Sequence, residues 1–393
     1  MKSKKRYLIL LVLLLVAVPV SVLLINLVVD PHGRVLMVNK AGFNRDKLTI
    51  KPQSRKAKAA IVRECERDIV ILGSTRAEGS VNPGSPAFSG QSVYNAAMKG
   101  SSMLEAEKIG LYMLGFQQPD QVFLDLGFYM FSDLRGTAHD FNESPLADKQ
   151  SLVSILGYLL SPQAFRQSYY TVKFNRAGMS MCDQTGYGIG FPVRGAPLDR
   201  IAKRIDSYVS TASIYGDYKP GDIHYESLET LLSALTAAGV KVHVYMSPVH
   251  ALQLESIRQL GLMDDYESWK RRVVQITGQI NETLNDDQQM TLWDFSGYNN
   301  VSMETVPVSG AQQMQWFKDS AANTPAVGEM IAGFLLDAEG RGAEFSPGFG
   351  VALNITNIDQ FLIQQRQAGD SYAQSGGDEI RLIKEIVAGE YVH

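Results

Sequence analysis

The chain has 393 residues, a formal net charge of −4 and 45% hydrophobic residues, which suits one large globular domain with accessory segments. A nearly neutral chain whose Lys and Arg concentrate towards the N-terminus is not expected to bind nucleic acid. Cys65 and Cys182 are the only cysteines, which excludes a disulfide scaffold or a cysteine zinc site; we expect two isolated thiols, although an oxidising compartment would permit one bridge.

The N-terminal segment has the features of a membrane-spanning helix. A basic cluster at residues 2–6 precedes residues 7–29, which are apolar on every face and about as long as a bilayer span. Cleavable signals are shorter, and no small-x-small cleavage site follows. Positive charge is denser before this stretch than behind it, where Arg34 and Lys40 are the nearest basic residues. We therefore predict a cytoplasmic N-terminus, a membrane anchor over residues 1–30, and the rest of the chain on the far side.

Beyond the anchor, short apolar runs alternate with amphipathic segments. Residues 31–67 are predicted to form a linker with some helix near 54–67. The predicted strands are residues 68–73, 92–98, 121–126, 241–246 and 290–295. The predicted helices are residues 102–114, 225–238, 251–260, 267–284, 325–336 and 357–367. A capping box, Ser102-Met-Leu-Glu105, opens the first of these helices. The alternation implies an α/β fold in which helices cover both faces of a parallel sheet.

Residues 133–220 interrupt this alternation. They are rich in Gly, Pro, Ser, Tyr and Phe and are too long for an ordinary loop, so we interpret them as an insertion over one end of the sheet. The α/β domain then extends over residues 68–340, and residues 341–393 form a C-terminal extension with one further helix packed on the outside.

Side chains that could carry chemistry follow the predicted strands, at the carboxyl edge where open parallel sheets form their sites. The first strand runs into Gly73-Ser74-Thr75-Arg76, the third into Gly127, and the fourth into Ser247-Pro-Val-His250. Asp319 comes shortly before the helix at 325–336. A site built from these residues would lie at one edge of the sheet.

The sequence carries no sign of a bound cofactor or metal. It lacks the glycine-rich motifs that bind nucleotides. His139, His224 and His243 do not have the spacing of metal ligands, and His243 falls in the middle of a predicted strand, where a structural role is expected. We therefore predict neither a cofactor nor a metal.

These segments together resemble the SGNH (GDSL-like) hydrolases, and more narrowly a group of bacterial membrane-anchored proteins of that superfamily. The matching segments are Ile-Leu-Gly-Ser-Thr-Arg-Ala (71–77), Val-Tyr-Asn-Ala-Ala (93–97), Tyr-Met-Ser-Pro-Val-His-Ala (245–251), Trp-Asp-Phe-Ser-Gly-Tyr-Asn (293–299) and Asp-Ser-Ala-Ala-Asn-Thr-Pro-Ala-Val-Gly (319–328). The resemblance covers about residues 30–370 and implies a three-layer α/β/α fold with a parallel sheet. In that family the serine of Gly-x-Ser attacks an ester, the histidine of Asp-x-x-His takes its proton, and the aspartate orients the histidine.

The catalytic motifs are degenerate in this chain. Thr75 occupies the position of the family's serine, Ala322 occupies that of its histidine, and Asp319 matches the aspartate. A threonine hydroxyl can act as a nucleophile, but alanine cannot accept a proton, and losing the base of such a triad typically costs on the order of 10⁴–10⁶ in rate. His250 is the best remaining base; the alternative is a histidine that caps the next helix or lies under the insertion.

Four further residues are candidates for binding a substrate at the same edge of the sheet. They are Ser74, Arg76, Asn95 and Gly127. The alternative for Ser74 is a turn residue that hydrogen-bonds the following helix. Arg76 can bind an anionic group of a substrate, but it can equally pair with Glu78 or another carboxylate. Ser320 supplies one more hydroxyl at this edge.

Two functions compete. The first is a catalytically silent SGNH-like domain that binds glycan or scaffolds a cell-surface polysaccharide complex. The second is an O-acyl (acetyl) esterase or transferase that acts on cell-envelope polysaccharide with an unconventional base. We favour the first, because the missing histidine is hard to replace geometrically. The link to polysaccharide, and the placement in a bacterial cytoplasmic membrane with a periplasmic or other extracytoplasmic main domain, follow from the resemblance together with the topology.

Overall fold

A computed structural model describes residues 2–188, 193–307, 310–336, 348–375 and 377–391. The chain divides into two compact units. The first, which we call the anchor unit, comprises Met1–Cys65 and Ala138–Gln184; the second, the sheet unit, comprises Glu66–Thr137 and Thr185–His393. The domain boundary predicted after residue 340 lies outside the described residues.

Helices account for most of the regular structure. Those of the described residues are α1 (Lys2–Val29), α2 (Arg55–Glu64), α3 (Thr75–Ser80), α4 (Met103–Leu114), α5 (His139–Asn142), α6 (Leu152–Leu159), α7 (Pro162–Arg176), α8 (Pro197–Ser210), α9 (Asp222–Ala237), α10 (Ala251–Gln259), α11 (Met263–Asn281), α12 (Pro325–Leu336), α13 (Ile358–Ser375) and α14 (Asp378–Ala388). The predicted helices are confirmed, although α13 continues well past its predicted end. The sequence analysis missed α5, α6, α7 and α8, which lie in the predicted insertion, and its predicted helices include neither α3 nor α14.

The sheet unit is built on a mixed six-stranded sheet. Its strands are β1 (Ile69–Leu72), β2 (Val93–Asn95), β3 (Gln121–Leu126), β4 (Lys241–Met246), β5 (Thr291–Asp294) and β6 (Val351–Ala352), in the order β2-β1-β3-β4-β5-β6. Strands β1 to β5 are parallel, as predicted. The edge strand β6 runs antiparallel to β5. It was not predicted, because a strand of two residues is too short to show a periodic pattern in the sequence.

Both faces of this sheet are covered, because its central strands are apolar on both sides. On one face Ile69, Ile71 and Phe123 pack in a single buried cluster with side chains of α8, α10, α12 and α14. On the other face Leu72 packs beside α4 and α9, where a Cβ on Gly110 would lie 3.2 Å from Leu72 Cδ1 and 2.4 Å from Leu231 Cδ1. The carboxyl ends of the five parallel strands lie at one edge of this sheet.

In the anchor unit, α1 is long and apolar enough to cross a membrane. The helix Lys4–Val29 contains an 18-residue window with a mean hydropathy of 3.3, and no residue of that window is buried. Nearer the end of the helix, Asn26 and Val29 are buried by the rest of the anchor unit. The helix stops at Asp30, which has φ +43. Lys47 Nζ donates to the carbonyl of Val29 at 3.2 Å and to that of Asp30 at 2.6 Å. A cation at this position satisfies the last carbonyls of the helix and complements its dipole.

The linker predicted at residues 31–67 is folded rather than extended. Residues 31–65 belong to the anchor unit, with α1 and residues 138–184 of the predicted insertion. Residues 66–67, 133–137 and 185–220 belong to the sheet unit. A disulfide joins Cys65 to Cys182 across 117 positions of the chain. The expectation of two isolated thiols is therefore wrong, since spacing in the sequence does not reveal which cysteines the fold brings together.

Candidate functional site

The candidate site begins where β1 turns directly into α3. Gly73 has φ +138, and a Cβ added there would lie 2.5 Å from the Cβ of Asp125 on β3. Only glycine fits both this backbone conformation and this close approach. The turn leaves Ser74 at the position just before α3 and Thr75 as the first residue of that helix.

Ser74 is buried in the interior of this edge. Its side chain does not cap α3, so the turn role proposed from the sequence is not the one observed. The Ser74 hydroxyl instead forms a short hydrogen bond with the hydroxyl of Tyr129, in the turn after β3. With the Ser74 residue only 1% exposed, a substrate would have to displace neighbouring side chains to reach its hydroxyl.

Thr75 is partly exposed, but its hydroxyl is engaged with the backbone. Its Oγ1 accepts a hydrogen bond from Gly100 N at 2.8 Å. Among the hydrogen bonds of the described residues, none joins the Thr75 hydroxyl to a histidine or a carboxylate. A hydroxyl nucleophile needs such a partner to take its proton.

Asp319 is held by a cation and by backbone amides rather than by an imidazole. Its Oδ2 pairs with the guanidinium of Arg204 on α8 at 2.9 Å. Its Oδ1 accepts from Ala321 N at 2.9 Å and from Ala322 N at 2.8 Å. Burial lowers the pKa of Arg204, but the adjacent Asp319 carboxylate outweighs it and leaves that pKa raised. Asp319 therefore fixes the turn at 319–322 and neutralises Arg204.

His250 caps α10, which is the alternative that the sequence analysis left open. Its Nδ1 accepts from Leu252 N at 3.2 Å, and its Nε2 donates to the carbonyl oxygen of Glu304 at 2.8 Å. Its backbone N–H donates to Ser320 O at 3.0 Å, so His250 does lie beside the segment that carries Asp319. Both ring nitrogens are engaged and the residue is buried, which leaves no lone pair for a substrate proton.

A buried polar cluster at this edge was only partly foreseen. Asp125, at the end of β3, accepts a short hydrogen bond from the Ser247 hydroxyl at the end of β4. Burial raises the pKa of Asp125, while Ser247 and the nearby charge of Arg76 act in the opposite direction. The sequence did carry a signal for this cluster, because a carboxylate within the apolar run of a central strand is rare unless it has partners.

Arg76 connects the β1–α3 turn to the turn at residues 319–322. Its Nε donates to Ala321 O at 3.3 Å, and its guanidinium lies 5.3 Å from the centre of the Tyr129 ring. Gly127 gives it room, because a Cβ there would lie 3.1 Å from Arg76 Nη1. Arg76 is 5% exposed, so the observed partners of its charge belong to the protein.

Asn95 is likewise occupied by the backbone. Its side-chain amide donates to Ala77 O and Val81 O, both at 2.8 Å, and its Oδ1 accepts from Ala97 N at 3.1 Å. These bonds satisfy the carbonyls at the end of α3 and fasten that short helix to β2. Within the described residues no cluster of three or more His, Cys, Asp or Glu side chains could hold a metal ion.

No family model matches the chain, and no curated protein matches it significantly.

The protonation of His250 is expected to destabilise the protein as the pH falls. Burial lowers the pKa of His250 from 6.5 to about 4. Between these values the unfolded chain binds more protons than the folded one, so the free energy of unfolding decreases as the pH drops from about 6.5 to about 4, by roughly 3 kcal/mol for this group. His250→Asn keeps a good helix cap but removes the titration.

Urea unfolding of the wild type and of His250→Asn at pH 7 and pH 4.5 measures this contribution. The wild type should lose more stability than the variant over that interval. The difference between the two losses of unfolding free energy separates the contribution of His250 from that of His243, whose pKa is also lowered to about 4 by burial. Equal losses in both proteins would contradict the assignment.

Proposed function

We propose that this protein is a membrane-anchored, extracytoplasmic SGNH-like domain that is catalytically silent and that binds glycan or scaffolds a cell-surface polysaccharide complex. One observation carries the proposal. Both ring nitrogens of His250 and both carboxylate oxygens of Asp319 are engaged within the protein, while Ala322 holds the position of the family's base. Neither His250 nor Asp319 then has a free acceptor for the proton of a nucleophile.

The burial of the surrounding side chains supports the same proposal. Ser74, the other hydroxyl on the β1–α3 turn, is 1% exposed and bonded to Tyr129. An SGNH-type esterase needs an accessible hydroxyl hydrogen-bonded to a base. The geometry instead supports a structural role for these polar residues, which hold α3 and the 319–322 turn in place. The link to polysaccharide rests on the sequence resemblance.

An esterase assay on the purified full-length chain tests the silent-domain proposal. Hydrolysis of p-nitrophenyl acetate should be unchanged, within about threefold, in the isosteric variant Thr75→Val. Restoring the family pattern with Thr75→Ser and Ala322→His should raise the rate by less than about tenfold, because Arg204 and two backbone amides already occupy Asp319. A wild-type rate that Thr75→Val abolishes would instead support the esterase or transferase.

Two observations support an extracytoplasmic location of the main domain. Basic residues cluster before α1, and the Cys65–Cys182 disulfide is typical of an oxidising compartment. Alkaline phosphatase fused to the C-terminus should therefore be active, and a reporter that functions only in the cytoplasm should be silent at the same position. The reverse pattern would refute this topology.

A further inference from the structure

The last turns of α1 are joined to helices α6 and α7 through a buried asparagine. The side-chain amide of Asn26 donates to Leu159 O at 2.8 Å and to Ser161 O at 3.3 Å, and its Oδ1 accepts from Ser168 Oγ at 3.0 Å. An amide inside a membrane span is costly unless it is satisfied by the protein. Asn26 lies one turn, about 5 Å, before the end of α1, so the junction of α6 and α7 meets α1 close to the membrane surface.

The outer surface of α6 and α7 is unusually apolar for residues that face solvent. Its exposed apolar side chains are Leu152, Val153, Leu156, Leu160, Phe165 and Tyr169. Leu152 and Val153 are 77% and 80% exposed. Exposed apolar side chains in such number on two neighbouring helices favour contact with a membrane or a partner. Because α6 and α7 pack on the end of α1, these apolar side chains lie next to the bilayer that α1 would enter.

A groove runs between α1 and α7 within the anchor unit. It has a volume of about 470 Å³, in the range of small-molecule sites. Ile25 and Val29 line it from α1, and Phe165 and Val172 line it from α7. The α7 residues on this wall recur every three or four positions, which places them on one stripe of the helix.

The stripe changes from apolar to basic along α7. Phe165 lies near its start, whereas Lys173 and Arg176 line the groove in the last turns. Those last turns lie beside the chain that follows α1, because Asn175 Nδ2 donates to Asp46 O at 2.7 Å. The groove therefore presents an apolar wall towards the membrane-spanning helix and two cations towards the water side.

We propose that this groove binds one anionic glycerophospholipid from the membrane leaflet at the C-terminal end of α1. An acyl chain lies along Ile25, Val29 and Phe165, and the phosphate lies beside Lys173 and Arg176. Apolar burial supplies binding energy for the chain, and the two cations favour an anionic headgroup over a zwitterionic one. The inference rests on the proposed membrane anchoring, because only an α1 that spans the bilayer places the groove in contact with lipid.

Native mass spectrometry of the full-length protein, purified in a mild non-ionic detergent, tests this proposal. Titration with palmitoyl-oleoyl phosphatidylglycerol should give one bound lipid per protein. This lipid should bind more tightly than phosphatidylcholine that carries the same two acyl chains. The double variant Lys173→Ala and Arg176→Ala should weaken phosphatidylglycerol binding by roughly 30-fold, at about fivefold for each cation. Arg166→Ala, on the same helix but outside the groove, is the matched control and should bind like the wild type.

A second variant tests the apolar wall separately. Val172→Trp fills the groove and should weaken binding of both lipids, with both cations left in place. Equal affinity for the two lipids, no effect of the double variant, or displacement of phosphatidylglycerol by millimolar inorganic phosphate would overturn the lipid assignment. A dimer that buries the groove in place of lipid would overturn it as well.

Failure of the inference can be told apart from failure of the proposed function. If the wild type is released from membranes by an alkaline carbonate wash, α1 does not anchor the protein, and the lipid inference is overturned with the proposed anchoring. If the wild type stays in the membrane fraction but does not prefer phosphatidylglycerol, the anchoring stands and the lipid site is refuted.

Discussion

Gly73→Ala is expected to lower the free energy of unfolding by about 4 kcal/mol. The added methyl group would lie 2.5 Å from the Cβ of Asp125 and 3.0 Å from its carbonyl oxygen, so β1 and β3 would have to move apart. The variant would also force an alanine into a backbone conformation with φ +138. Strain of this kind costs roughly 1–3 kcal/mol, and overpacking between central strands costs a similar amount.

Gly79→Ala is the matched control for this experiment. Gly79 lies in α3, a few residues further along, and a Cβ there would have no atom within 4 Å. Alanine is the better helix former, so this variant should be neutral or stabilising by up to about 1 kcal/mol. Urea unfolding of both variants measures the difference. Similar stabilities would show that the tight turn after β1 does not require glycine.

Lys270→Met is expected to cost about 3–5 kcal/mol, because it leaves a buried carboxylate without its cation. Lys270 Nζ on α11 lies 2.6 Å from Asp294 Oδ2 at the end of β5, and the side chains are 1% and 0% exposed. The other oxygen of Asp294 accepts from Ser296 N at 2.7 Å, which fixes the carboxylate in place. Methionine keeps most of the apolar stem of lysine, so the loss reports chiefly on the charge.

Arg381→Met provides the contrast for the buried pair. Arg381 pairs with Asp378 at 3.0 Å, but the side chains are 70% and 85% exposed, and such surface pairs contribute about 0–1 kcal/mol. Adding Asp294→Asn to Lys270→Met should recover part of the lost stability, because the unpaired charge is then removed as well. Chemical denaturation of these variants gives the comparison. A Lys270→Met loss no larger than that of Arg381→Met would contradict a costly unpaired carboxylate.

Local patterns in the sequence were sufficient for much of the fold. The apolar length of α1, the capping serine of α4 and the buried runs of β1 and β3 are each written in consecutive residues. Periodicity within one element depends on nearest neighbours in the chain, so it can be read without knowing what packs against that element. For α14, the spacing of Ile380, Ile383 and Ile386 was a signal of the same kind that was overlooked.

The sequence by itself also determined that β1, β3 and β4 belong to a parallel sheet, so that the residues directly after these strands lie at one edge of it. It could not determine their partners. Asp319 is joined to Arg204 on α8, 115 positions away, and Cys65 is joined to Cys182. Such contacts depend on how distant segments fold back on one another, and that is set by the packing of the whole unit.

The tertiary structure decided the chemical state of the candidate residues as well. From the sequence, His250 was a candidate for either a base or a helix cap. Arg76 was a candidate for binding an anionic substrate group or for pairing with a carboxylate of the protein. In the structure His250 caps α10 with both nitrogens engaged, and Arg76 donates to the carbonyl of Ala321. The residue type fixes what a side chain can donate or accept, but burial and the nearest polar atoms decide which of those bonds it makes.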